Sequence, residues 1–268
     1  MRFQRATAKS EQKRTMAVQQ VLSPSYDLSL VVVSFLISAF GAYAALAAST
    51  LVRSERGSVN KLNAAFAGVA LGGVGIWSMH FLGMLAWDTG MAVGYGLLGT
   101  LVSLFVAVGV SAIALGYMAA EAFSYRRLAI AGPLAGAGVS LMHFMGMGSM
   151  RFGGYLDWNG ALVAGAVLIA VAAASAALWL AFHVRDTRHR VAAAFVMAAA
   201  VCAMHYTGMA AADVVCTTED RFARVPGFLY GNDLRMLVIV VAIGAGILVA
   251  FDVFMQRVVF RGGRGAAA

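Results

Sequence analysis

Residues 128–150 read LAIAGPLAGAGVSLMHFMGMGSM, an unbroken stretch without Asp, Glu, Lys or Arg. About 20 apolar residues are enough for a helix to cross a bilayer, where every backbone polar group must be bonded within its own segment. The stretch therefore predicts a spanning helix. Outward from it lie six comparable runs, 27–52, 62–86, 93–120, 159–182, 191–213 and 235–256. The chain of 268 residues is 61% hydrophobic, only 12% charged and carries 30 glycines, which excludes an ordinary soluble domain. Glycine and alanine are dense inside the runs and suit close helix–helix approach in lipid. The expected fold class is all-α: a polytopic membrane protein of seven transmembrane helices.

The formal charge of +8 points to nucleic acid only if the basic residues cluster for that purpose, and they do not. Arg53, Arg56 and Lys61 follow the first run, Arg126 and Arg127 the third, Arg185, Arg188 and Arg190 the fifth, and Arg257, Arg261 and Arg264 the seventh. The alternate loops hold Arg151, Arg221, Arg224 and Arg235. By the positive-inside rule the first set is cytoplasmic, so the charge reports topology and no nucleic-acid partner is expected. The reading is a multi-pass protein of the bacterial inner (plasma) membrane with its N-terminus periplasmic and its C-terminus cytoplasmic.

One conflict follows, because Arg2, Arg5, Lys9, Lys13 and Arg14 would then cross the membrane. A true translation start near Met16 removes it; a cytoplasmic N-terminus with the first helix absent or re-entrant is the alternative. No short apolar core with an A-x-A-like cleavage site precedes the first run, so no removable signal peptide is expected. The expected organisation is an N-terminal tail over 1–25, a seven-helix domain over 26–258 and a short cytoplasmic tail over 259–268. Cys202 and Cys216 are fourteen residues apart in mostly helical chain, about 20 Å at the usual rise, too far for a disulfide.

Set against itself, the chain repeats. Met79-His80-Phe81-Leu82-Gly83-Met84, Met142-His143-Phe144-Met145-Gly146-Met147 and Met204-His205-Tyr206-Thr207-Gly208-Met209 share the pattern M-H-[FY]-x-G-M. The histidines are 63 and 62 residues apart, so the unit is two membrane helices with the motif near the end of the second. The seven helices are thus three two-helix repeats and a seventh helix. Helices two, four and six run the same way, which puts the three motifs at one depth. Each histidine has a methionine four residues later on the same face, about 5–6 Å away at Cβ. The glycine three residues after each histidine lets the motif-bearing helices approach closely.

These motifs resemble the MHYT-domain family of bacterial membrane sensors, whose name the third copy spells. The resemblance covers about 26–258, including Tyr26-Asp27 at the head of the first helix, the repeat spacing and the seventh helix. It implies a copper ion held by the motif residues near the periplasmic face and sensing of a diatomic gas (O2, CO or NO) or of redox state. Many members continue into cytoplasmic cyclic-di-GMP synthase, phosphodiesterase or histidine kinase domains. This sequence stops about ten residues after its last run, so the expectation is a stand-alone domain that signals through a separate cytoplasmic or membrane output protein.

The residues themselves support a metal. An ionisable side chain inside a membrane helix is costly and usually faces protein, water or a ligand. One buried histidine is most often a packing residue; three at one depth with matched thioethers favour ligation by His80, His143 and His205 with Met84, Met147 and Met209. Imidazole and thioether together select copper over zinc or iron. Six donors exceed what Cu(I) takes, so either the three histidines and one or two methionines form one site or the set holds two coppers. Met79, Met142 and Met204 stand about 100° from their histidines around the helix and rank second, as packing or second-site residues.

Asp88 and Asp213 occupy the position that Arg151 holds in the second repeat, and either could pair with it at the rim. Cys202, three residues before His205, is a weaker ligand candidate, since Trp77 and Ser140 stand there in the other repeats. His183 and His189 flank the basic loop and are expected in solvent. No Walker loop, nucleophile elbow, zinc-protease pair or dinucleotide fingerprint occurs, so no enzyme activity is expected. The alternative to a sensor is copper transport or delivery, which needs ligands along a path, whereas these cluster at one depth. A haem held by two histidines is disfavoured by the tight Ala/Gly packing, and a purely structural bundle is the plainest rival.

Overall fold

Five of the seven apolar runs begin where a short polar side chain offers the first turn an acceptor. In the computed structural model, which describes residues 19–53 and 57–265 (backbone only at 252–253 and 255–265), Asp27 caps α1 (Leu28–Ser49) by accepting from the amides of Ser29 and Leu30. Asn60 does the same for α2 (Lys61–Ala86), Ser124 for α4 (Tyr125–Gly148), Asn159 for α5 (Gly160–His183) and Asp186 for α6 (Thr187–Ala210). The third helix, α3 (Leu97–Ala119), starts after Gly96 without a side-chain cap, and α7 runs Gly231–Gly265. All seven are long and apolar enough to cross a membrane. The chain is an all-α polytopic membrane protein.

The expected runs and the helices agree to within a few residues, except that α7 continues beyond residue 256 into its more polar end. The N-terminal residues through 18, with the proposed start near Met16, lie outside the described residues, as do Arg56 and the last three residues.

Contacts between neighbouring helices close a ring in chain order: α1 packs on α2, α2 on α3, α3 on α4, α4 on α5, α5 on α6, and α6 back on α1. Three two-helix repeats thus surround one axis with approximate threefold symmetry. The seventh helix stands outside the ring against α2, burying Leu234, Val238, Ala245 and Val249 along one stripe. That extra cover leaves the apolar window of α2 89% buried, against 17% for α5. Small residues set the spacing. A Cβ at Gly41 would stand 2.3 Å from the backbone nitrogen of Gly75, so α1 and α2 touch backbone to backbone.

Two features break the plain helical picture. Inside α2, residues Val69–Ser78 form a π-helical segment that ends at Met79, directly before the first motif. Short strands also cover the end of the bundle where the motifs lie: β1 (Gln20–Leu22), β2 (Ser25–Tyr26), β3 (Trp87–Asp88), β4 (Gly94–Gly96), β5 (Met150–Arg151), β6 (Gly154–Trp158), β7 (Ala212–Cys216) and β8 (Phe228–Leu229). They obey the repeat. In each, the strand leaving the motif helix pairs antiparallel with the strand entering the first helix of the same repeat: Trp87 opposite Tyr26, Met150 opposite Tyr95, Ala212 opposite Trp158. Additional pairs, β1 with β7 and β4 with β8, tie the segment before α1 and the head of α7 into the same cap.

Candidate metal centre

The ring carries its three motif helices, α2, α4 and α6, inward, and His80, His143 and His205 meet on the axis with at most 1% of their surface exposed. Their Nδ1 atoms form a nearly equilateral triangle: 3.1 Å between His80 and His143, 3.1 Å between His80 and His205, and 3.3 Å between His143 and His205. Dividing those edges by √3 puts the centre about 1.8–1.9 Å from each nitrogen, within a few tenths of an ångström of an ordinary metal–imidazole bond of about 2.0 Å. The rings stand edge to face, with interplanar angles of 72°, 86° and 86°, like the blades of a propeller. Among the described residues this is the one group of three or more His, Cys, Asp or Glu able to hold a metal ion.

The motif glycines explain how three imidazoles fit. A Cβ at Gly146 would stand 2.2 Å from Nε2 of His80, one at Gly208 2.3 Å from Nε2 of His143, and one at Gly83 2.2 Å from Nε2 of His205. Each histidine therefore occupies the space left by the glycine of another repeat, in a closed cycle.

This packing leaves the hydrogen-bonding capacity of the rings unmet. All three Nε2 atoms are buried without a partner. A neutral imidazole has one N–H and one lone pair, so three of them offer the Nδ1 triangle at most a few mutual hydrogen bonds. If the protons sit on Nε2, three lone pairs converge on one point. Unpartnered buried polar groups of this kind are costly, and a cation at the centre would accept all three lone pairs at once. The three nitrogens could hold a metal ion. The triad departs from most histidine metal sites in one respect, since no acceptor meets the outward Nε2–H groups.

Aromatic side chains wall the triad. The residue after each histidine packs edge-on against it, Phe81 at 4.7 Å, Phe144 at 4.9 Å and Tyr206 at 4.8 Å between centroids. Each is met in turn by the aromatic that precedes a helix cap: Tyr95 on Phe81, Trp158 on Phe144 and Tyr26 on Tyr206. The strands hold those aromatics in place, so the cap and the triad form one layered unit. Burial, with Tyr206 nearby, raises the Tyr26 phenol above its usual range, and burial alone raises that of Tyr95.

The other sequence candidates are distributed as follows. Met84, Met147, Met209, Met79, Met142 and Met204 are all buried to 2% exposure or less, so burial does not separate the trailing from the leading methionines. Their surroundings do for two of them: Met84 also lines an open pocket of about 550 Å³ at the capped end, and Met204 lines a cavity below the triad. Cys202 is only partly buried and stands outside the donor group, and Cys216 is a buried free thiol. The rim pair does not form. Arg151 donates instead to the carbonyls of Gly148 and Met150, and Asp88 accepts from the amide of Gly90, because each is held in a strand facing its own turn. His183 stacks on Trp179, and His189 pairs with Asp186, both at the end opposite the cap.

Comparison with known proteins agrees with the repeat. The MHYT family model, described as a bacterial signalling protein N-terminal repeat, matches residues 73–131 and again 136–194. The chain is 39% identical over 197 residues to the bifunctional diguanylate cyclase/cyclic di-GMP phosphodiesterase MucR of Pseudomonas aeruginosa, covering 72% of this chain and 29% of that protein. It is 33% identical to the cyclic di-GMP phosphodiesterase NbdA of the same organism and 28% identical to the signaling protein YkoW of Bacillus subtilis, covering 70% of this chain and 24% of each. The chain thus spans about a quarter of the length of these relatives. No solved structure matches it.

Proposed function

The chain belongs to the MHYT family of bacterial signalling proteins, and from that premise we propose that it is an integral-membrane sensor whose three histidines hold a copper ion. The observation that carries this reading is the Nδ1 triangle, three imidazole nitrogens converging on one point with no other polar partner. His80, His143 and His205 are the ligands, with a thioether from Met84, Met147 or Met209 as a further donor. Copper bound there would supply a redox-active centre able to take a diatomic gas such as O2, CO or NO. A thioether added to imidazole donors favours copper over zinc or iron.

The capped end faces the periplasm in this reading, because the opposite end gathers Arg53, Lys61, Arg126, Arg127, Arg185, Arg188 and Arg190. The N-terminus is then periplasmic and the C-terminus cytoplasmic. Output passes along α7, which packs against the π-helical segment of α2 leading into His80. Such segments recur at functional sites, and a change of ligation that moves His80 reaches α7 through it. The receiver in this reading is a cytoplasmic or membrane output partner of the signalling kind.

Copper transport or delivery fits less well, since beyond the triad the space below offers a cation only the thioethers of Met197 and Met204 and the hydroxyl of Ser111 among apolar side chains, too few ligands to make a path. The deciding experiment is metal content of the detergent-purified protein by mass spectrometry, wild type against the His80→Ala, His143→Ala, His205→Ala triple variant, grown with equal copper. Near-stoichiometric copper lost in the variant supports the site. Absence of metal from both after anaerobic Cu(I) loading refutes it.

A further inference from the structure

Directly beneath the triad lies a cavity of about 50 Å³ bounded by five of the six ring helices, α2 to α6. Its upper wall repeats the threefold pattern. Ile76, Val139 and Val201 all line it, and each stands four residues before its triad histidine on the same helix, one turn below and on the same face. Met204, the neighbour of His205, lines it as well. The chamber and the triad are therefore adjacent layers of one axis.

The lining decides what can occupy it. It consists of Ala, Val, Leu, Ile and Met side chains with a single hydroxyl, Ser111, and no charged group. By volume the space could admit water, but an ordered water needs about two to four polar partners and here would find one. Apolar cavities of this kind stay dry and take up small apolar guests such as xenon. The sulfurs of Met197 and Met204 add polarisable contacts to the same wall.

We propose that this chamber is a docking site for a small apolar molecule of the diatomic-gas class, held one helical turn from the triad nitrogens. A charged or strongly hydrated ligand finds one hydroxyl and no charge in it, whereas a gas that partitions into lipid enters without losing hydrogen bonds. The role of the chamber in sensing rests on the metal reading of the triad; its occupancy does not.

The test is xenon saturation-transfer NMR on the detergent-purified full chain, comparing wild type with Ala174→Leu and, independently, Ala135→Leu, two cavity-lining positions on different helices. A saturable bound-xenon signal in wild type, diminished by dissolved CO and reduced about tenfold or more in each filled variant at unchanged helicity and elution volume, is the expected result. No bound signal in wild type, an equal signal in both filled variants, or displacement of xenon by a detergent chain rather than by CO overturns the proposal. Metal analysis of the same wild-type samples separates the two readings. A bound-xenon signal in wild type that takes up no copper after anaerobic Cu(I) loading would leave the chamber standing and the metal centre refuted.

Discussion

The imidazole of His80 fills the space over Gly146, with Nε2 only 2.2 Å from where a methyl group on that glycine would stand. The same relation joins His143 to Gly208 and His205 to Gly83, so each repeat's glycine seats another repeat's histidine. A Cβ closer than about 3 Å to a buried ring forces either the ring or the helix to move, and overpacking of this sort costs about 1–3 kcal/mol. Gly146→Ala is expected to lower thermal stability by that order and to cut bound metal, as are Gly83→Ala and Gly208→Ala. Gly109 on α3 has open space around its position and is the control: Gly109→Ala should leave metal content unchanged. Metal analysis and circular-dichroism melts of the four variants check this.

The direction of that cycle was beyond reach of the sequence. The spacing of His80, His143 and His205 predicts a shared depth, and Gly83, Gly146 and Gly208 predict close approach. Neither says which helix lies beside which, because ring order is set by tertiary packing. The strands were hidden for another reason: with two to five residues each, they are too short for apolar alternation to register. A signal was there, since Tyr26-Asp27, Tyr95-Gly96 and Trp158-Asn159 place an aromatic before the first helix of each repeat. The π-helical segment at Val69–Ser78 left no mark in composition. Seven spans and three converging histidines were legible because membrane helices and fixed repeats are the patterns a sequence displays most openly.

Tyr206 distinguishes the third motif from the other two, where Phe81 and Phe144 stand. Its hydroxyl lies 3.2 Å from Ser34 Oγ, but Ser34 also donates to the carbonyl of Val31 and keeps that bond without it. Tyr206→Phe is therefore expected to cost no more than about 1 kcal/mol. Metal content should stay at the wild-type value. Loss of copper from this variant would mean that the hydroxyl belongs to the site and that the threefold reading is incomplete.

At the other end of the bundle, hydrogen bonds from the backbone and then the side chain of His189 hold the Asp186 carboxyl below its ordinary range. A carboxylate lowered in the folded state stabilises above its unfolded pKa, about 3.9, and that contribution is lost as pH falls through the folded value. The first turn of α6 should fray in that acid window and not above it. Amide exchange at His189, corrected for intrinsic pH dependence, would show it. Asp186→Asn keeps a capping oxygen but has no proton to gain, so its exchange should lack the acid step.

The balance between function and stability is sharpest at the triad itself. Three buried Nε2 atoms have no partner, and each unmet polar group of this sort costs about 1–3 kcal/mol. Leucine is apolar and of comparable volume, so the His80→Leu, His143→Leu, His205→Leu triple variant removes those groups while keeping the core filled. Metal-free, it should melt at or above the temperature of the metal-free wild type. Added Cu(I) should then raise the wild type alone, because an ion that binds only the folded state stabilises it by mass action, about 2.7 kcal/mol at a hundredfold excess over Kd. A structural bundle predicts the reverse order: with the histidines serving as packing and hydrogen-bonding residues, the leucine variant would melt lower and copper would move neither protein. Paired melts of both proteins, with and without anaerobic Cu(I), therefore separate a ligand set from a core.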